Sequence, residues 1–124
     1  MMMNRSEAAL YAAKWAENWN GVKIDAVADD FADNGEMRSP HAVGLTGDAT
    51  VRGREAIRAY WHRLYGHVTN PQLVLEDIAF DEFTQRLIVW WRAELPSGGV
   101  RASEMMQFND AGKIIRSEAY YGAA

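Results

Sequence analysis

The segment Ser103-Glu-Met-Met-Gln-Phe-Asn-Asp-Ala-Gly-Lys-Ile-Ile-Arg-Ser-Glu-Ala-Tyr-Tyr-Gly122 constrains the fold more than any other. It is two alternating runs around a turn. Asn109-Asp110-Ala111-Gly112 supplies the turn chemistry, with Gly112 free to take positive φ. Strand side chains alternate between faces, so Ala102, Glu104, Met106 and Phe108 share one face before the turn. After it, the same alternation groups Ile115, Ser117, Ala119 and Tyr121, with Ile114, Arg116, Glu118 and Tyr120 opposite. Glu104 therefore stands in an apolar row. An acid in that position meets a partner, becomes neutral or does chemistry.

Upstream, a first helix is expected from Asn4, with Glu7 completing a capping box and Asn20-Gly21 ending it. Ala8, Tyr11, Ala12, Trp15 and Trp19 form its apolar stripe. A short second helix carries Ile24, Val27, Ala28 and Phe31 inward, and Asp29, Asp30 and Asp33 discourage its continuation. Gly35 to Pro40 reads as a short strand, and His41 to Arg52, with Gly44, Gly47 and Asp48, as a loop with the character of a lid. Gly53 opens a third helix with Ala56, Ile57, Tyr60, Trp61 and Leu64 inward, closed by Gly66. Strands follow over Gln72–Phe80 and Arg86–Leu95, the latter with Leu87, Val89, Trp91, Ala93 and Leu95 on one face. Pro96-Ser97-Gly98-Gly99 turns the chain into the strand that bears Glu104. The order α-α-β-α-β-β-β-β predicts an α+β domain, a curved and mostly antiparallel sheet around three N-terminal helices with a hydrophobic pocket in its concavity.

A chain of 124 residues is expected to be a single domain over 1–124. Apolar residues are 48% and charged residues 24%, which suits a globular fold. Net charge is -4 without a Lys/Arg cluster, against a nucleic-acid partner. Cysteine is absent, so a thiol nucleophile and a Cys-based metal site are out. No run approaches the ~20 apolar residues of a membrane span, and no signal peptide is visible, so a cytoplasmic protein is expected.

The element order, Phe31-Ala-Asp-Asn running into Arg38-Ser-Pro40, Gly53-x-x-x-Ile57-x-x-Tyr-Trp61, and Phe108-Asn-Asp-Ala-Gly-Lys-Ile-Ile115 together resemble the nuclear transport factor 2-like superfamily. Within it the chain is similar to SnoaL-like polyketide cyclases and ketosteroid isomerases. The resemblance implies a cone-shaped α+β barrel, commonly dimeric, with a hydrophobic pocket at its wide end. It also implies positions. Trp15 falls where the isomerases place an oxyanion-donating tyrosine, Ser39 where they place the proton-moving aspartate, and Glu104 where they keep a neutral aspartic acid. Serine and indole cannot replace those first two chemistries. Ketosteroid isomerisation by that route is not expected; the acid at 104 remains.

Glu104 is thus the leading catalytic candidate, as acid or base, or else a carboxylate paired with arginine or pocket water. His41 is a second titratable candidate, with a solvated loop histidine as the alternative. Tyr60 is a third, and Tyr60 and Tyr121 can orient a carbonyl oxygen. Trp15, Trp19, Met37, Ser39, Trp61 and Trp91 are expected to line the pocket. So are Met106, Phe108, Ser117 and Tyr121, although aromatic residues at such spacings are more often core. Ser39 lacks a nucleophile elbow or triad, and the histidines lack metal-ligand spacing, so no metal or other cofactor is expected. Trp90, Arg92, Arg116, Glu118 and Tyr120 make the outer sheet face a candidate homodimer surface. The expected function is proton transfer on a small apolar carbonyl compound, polyketide-, steroid- or terpenoid-like, by an isomerase, cyclase or lyase. The alternative is a non-catalytic module that binds a small hydrophobic ligand. A protein–protein adaptor ranks behind both.

Overall fold

The hairpin seen in the sequence forms the centre of a six-stranded sheet. The computed structural model describes residues 2–95 and 98–123, without the side chain of Leu95. The expected turn at Pro96-Ser97 lies outside the described residues. The elements are α1 (Arg5–Asn20), α2 (Ile24–Asp29), β1 (Phe31–Arg38), α3 (Pro40–Thr46) and β2 (Thr50–Arg52). They continue as α4 (Arg54–Tyr65), β3 (Gln72–Asp81), β4 (Arg86–Leu95), β5 (Gly98–Phe108) and β6 (Ile114–Tyr121). The strand order is β2-β1-β6-β5-β4-β3. Strands β3 to β6 form an antiparallel meander, and β1 joins it parallel to β6. This is the expected α+β arrangement, a curved sheet over helices that precede most of it.

Local chemistry accounts for the ends. Asn4 caps α1 by accepting from Glu7 N, and Glu7 accepts from Asn4 N in return. In the β5–β6 turn, Gly112 has φ +75°, and Asn109 Oδ1 accepts from Ala111 N and Lys113 N. Helix α2 is short, as its acidic end suggested, and Arg58 of α4 answers those charges by pairing with Asp25 and Asp29.

Four details differ from the sequence reading. Phe31 belongs to β1 rather than α2. The stretch 41–52 is not a loop: Ser39 accepts from His41 N and caps α3, Pro40 opens it, and Gly47 ends it at φ +79° before β2. Two elements were therefore missed, and the order holds four helices and six strands among the described residues. Ala56 is exposed on α4, although Ile57, Tyr60 and Trp61 are buried. Finally, β6 bulges. Gln107 pairs with Arg116 but Phe108 with Ile114, so Ile115 is an extra residue. The bulge turns Ile114 inward to 1% exposure and Ile115 outward to 37%.

The inner face of the sheet is layered. One row crosses all six strands: Phe80, Leu87, Met106, Ser117, Met37 and Val51 are successive cross-strand partners. The next row is Ile78, Val89, Glu104 and Ala119. The row beyond is Leu75, Trp91, Ala102 and Tyr121. The first row is core, with Leu87 and Met106 at 0% and 1% exposure. Together with α1 and α4 it closes the narrow end.

Candidate functional site

Above that packed row lies a cavity of about 120 Å³, open at one side. Its floor and sheet wall come from Met37, Ala93, Val100, Glu104 and Ala119. Ala93 and Ala119 are small, and their missing side-chain volume is space that α1 and α4 do not fill. Helix α1 contributes Trp15 and Trp19; α4 contributes Tyr60, Trp61 and Tyr65. Ser39 and His41 border it where β1 passes into α3, and Val22, Val68, Pro71 and Leu73 come from connections and the start of β3. Trp91 and Tyr121 flank the mouth-side row.

The aromatic walls are locked by edge-to-face contacts. Trp19 meets Trp61 at 5.2 Å and Tyr65 at 5.6 Å between ring centroids. Trp61 in turn meets Phe31 at 5.6 Å. Such pairs add to burial and fix ring orientation. At the rim, the His41 imidazole stacks on Tyr121, with centroids 4.5 Å apart and 21° between planes. Trp91 packs edge-on against the same tyrosine at 6.5 Å, and its Nε1 is buried without a hydrogen-bond partner.

Glu104 is the acidic residue of the cavity lining. It keeps some accessible surface because it faces the cavity, yet protein surrounds the carboxyl. Burial is the one cause acting on it, and pushes its pKa from 4.5 to about 7. Among the described residues no cation or hydrogen-bond donor offsets that cost, which is the pattern of a carboxyl in an apolar pocket. Among the described residues no arginine pairs with it, as one alternative reading of this acid had it. Burial also raises Tyr60, Tyr65 and Tyr121; at Tyr65 the neighbouring Tyr121 and Tyr60 and a hydrogen bond with Tyr121 add to the rise ahead of the Glu104 charge, which also adds at Tyr121. The nearby Ser39 hydroxyl works the other way on Tyr60 and Tyr121. These phenols are protonated at neutral pH and can act as donors.

Of the residues singled out in the sequence, Glu104, His41, Tyr60 and Tyr121 all border the cavity. Trp15, Trp19, Met37, Ser39, Trp61 and Trp91 border it too. Met106, Phe108 and Ser117 do not. They lie on the correct face but deeper, in or below the packed row, with Met106 and Ser117 at 1% and Phe108 at 4% exposure. Ser117 Oγ is buried there without a partner. Ser39 spends its oxygen on capping α3, at 3.2 Å from His41 N. Tyr65 was missed. It sits in the last turn of α4, beside Gly66, where helical periodicity fades; its place one turn after Trp61 was the available signal. Nor did the sequence reveal a half-buried acid outside the cavity lining, Asp30, which accepts from the Tyr11 hydroxyl at 2.9 Å. Burial raises the pKa of both groups.

The model of the SnoaL-like domain matches residues 12–117. A SnoaL-like protein of unknown function from Burkholderia thailandensis superimposes with a TM-score of 0.86 at 22% identity, covering 99% of this chain and 100% of that one. An epoxide hydrolase/cyclase-like enzyme, SalBIII, described for pyran ring formation in the polyether salinomycin, gives 0.75 at 16% identity over 96% and 93% of the two chains. A nuclear transport factor 2-like protein of unknown function from Burkholderia xenovorans gives 0.75 at 16% identity over 97% and 87%. None of the curated proteins matches the chain.

Proposed function

As the chain belongs to the SnoaL-like domain family, we propose that its cavity is an active site for proton transfer on a small carbonyl compound. Glu104 is the acid–base group in this reading. The observation that carries it is a carboxyl facing an apolar cavity, without an ion-pair partner among the described residues, with its pKa lifted to about 7. A group poised near neutrality can both take and return a proton, and such groups contribute about 10²–10⁴-fold to rate. In the proposed step, ionised Glu104 removes a proton from the carbon beside the carbonyl. Tyr60, Tyr65 or Tyr121 donates to the oxygen as the enolate forms. Protonated Glu104 then returns the proton to the same carbon, giving exchange or epimerisation, or to the far end of a conjugated dienolate, giving double-bond isomerisation; alternatively the enolate carbon attacks an electrophilic carbon of the same molecule, or its electron pair expels a β leaving group, and the Glu104 proton goes to the oxygen released. In this reading His41, stacked on Tyr121 at the rim, holds that phenol in orientation.

The test is exchange of carbonyl-adjacent hydrogens in D₂O, followed by proton NMR with a panel of small ketones and enones. The protein is expected to accelerate exchange, with the rate rising as pH passes through about 7. Glu104→Gln is expected to cut it by about 100-fold or more. Exchange that is unaltered by Glu104→Gln would remove the acid from the mechanism.

One observation favours a second reading, a non-catalytic module that binds a small hydrophobic ligand. Ser39, at the position of the isomerases' proton-moving group, is occupied as the cap of α3. On that reading ligands bind the cavity and no exchange is seen. We also propose a second copy of this chain as the partner of the outer sheet face. Trp90 and Tyr120 are 40% and 51% exposed there, among Arg92, Arg116 and Glu118. Aromatic residues and arginine are what such interfaces use. Sedimentation of Trp90→Glu as a monomer beside a wild-type dimer would support it, and a monomeric wild type would remove it.

A further inference from the structure

The cavity's size and charge say more about its occupant than the acid alone does. Its volume is about 120 Å³. A cavity of roughly 150 Å³ holds one benzene, whereas pockets for drug-sized ligands begin near 300 Å³. The space cannot extend downward, because Leu87 and Met106 of the row beneath are at 0% and 1% exposure. Sideways extension would break the contacts that chain Trp19 to Tyr65 and Trp61, and Trp61 to Phe31. Packed interiors resist such displacement.

Charge narrows the occupant further. Among the described residues no lysine or arginine lines the cavity, and the acid there is Glu104. An anionic ligand would lose its hydration with no cation to replace it, next to a group that is itself negative once ionised. The hydroxyls of Tyr60 and of Tyr121, the latter hydrogen-bonded with Tyr65, are donors suited to one neutral acceptor oxygen.

We propose that the substrate is a compact, non-anionic molecule of about one ring with a single acceptor oxygen, and that fused polycyclic compounds, whose further rings would stand out through the open side into water, and free acids bind more weakly. The proposal rests on the active-site reading above and narrows it, setting aside steroid- and tetracycle-sized substrates.

Trp15, Trp19, Trp61 and Trp91 border the cavity, so their fluorescence reports occupancy. The wild-type protein would be titrated at pH 8 with cyclohex-2-enone, a steroid enone, benzamide and benzoate. Cyclohexenone and benzamide are expected to alter the emission saturably. The steroid is expected to bind at least about tenfold more weakly than cyclohexenone, and benzoate at least about tenfold more weakly than its neutral isostere benzamide. Glu104→Gln is expected to narrow the benzamide–benzoate gap, because it removes the like charge. A steroid that binds as tightly as cyclohexenone overturns the size limit, and equal binding of benzoate and benzamide overturns the charge limit. Either result, alongside Glu104-dependent hydrogen exchange, would leave the acid–base reading standing. Binding by none of the four would overturn the proposal and count against a ligand cavity altogether.

Discussion

Two neighbouring rows on one sheet face have opposite fates. The row through Met106 also holds a polar group, Ser117, and packs it with nothing left over. The row through Glu104 places a larger polar group between Val89 and Ala119 and leaves open volume beside it. Among the described residues neither Ser117 Oγ nor the Glu104 carboxyl has a partner. The hydroxyl costs little enough to be carried inside the core; a carboxylate would not be, and its pKa rises instead. The lesson is that depth along the cone, rather than which face a residue occupies, separates core from site.

The comparison can be broken from either side. Met106→Ala attacks the packed row and is expected to cost about 3 kcal/mol, as cavity-forming substitutions of buried Met do; urea unfolding measures it. A cost below about 1 kcal/mol would mean that the row is not close-packed.

Glu104→Gln attacks the other row and is expected to stabilise, not destabilise, at high pH. The folded pKa of about 7 lies above the ordinary 4.5. Between those values the unfolded chain binds fewer protons, so Glu104 lowers stability as pH rises through that window. The accumulated penalty is roughly 3 kcal/mol above pH 7. Glu104→Gln is therefore expected to exceed wild type by up to that amount at pH 8, and to match it near pH 4.5. Paired urea curves at the two pH values check the sign. A variant less stable than wild type at pH 8 would mean that the carboxylate has a partner.

Ser117→Ala removes an orphaned buried oxygen with little change of volume. It is expected to stabilise by about 1 kcal/mol, read as a higher unfolding midpoint. The smallest stability effect is expected from Ala119→Leu, which grows into the empty space: within about 1 kcal/mol of wild type, but with loss of ligand-induced fluorescence change.

How far the sequence carried is visible in the same rows. Period-two alternation placed Glu104, Trp91, Met106 and Ser117 inward, because a pleated strand leaves no other choice. It could not rank them by depth, since depth depends on how α1 and α4 lie across the sheet. Phe108, Met106 and Ser117 therefore share the face of the site without reaching the cavity. The β6 bulge exchanged Ile114 for Ile115, and an extra residue leaves no mark in a run of two isoleucines. Helix α3 was legible in principle: Ser39 followed by Pro40 is a capping residue before a first-turn proline. Gly44 and Gly47 outweighed it, yet Gly47 is the left-handed residue that ends the helix.

The parallel pairing of β1 with β6 has a consequence for how the protein acquires its shape. Phe31 finds Ile114 across roughly eighty residues of chain. Until that distant strand arrives, β1 and the helix α4 packed on it are not tied to the meander, and the wall that Trp61 supplies is not closed. Long-separated contacts of this kind slow folding, so nascent chains are expected to dwell with an indole-rich surface open to solvent. For this molecule, the aromatic wall that would later enclose a ligand is also the surface most in need of chaperoning before the last strand docks.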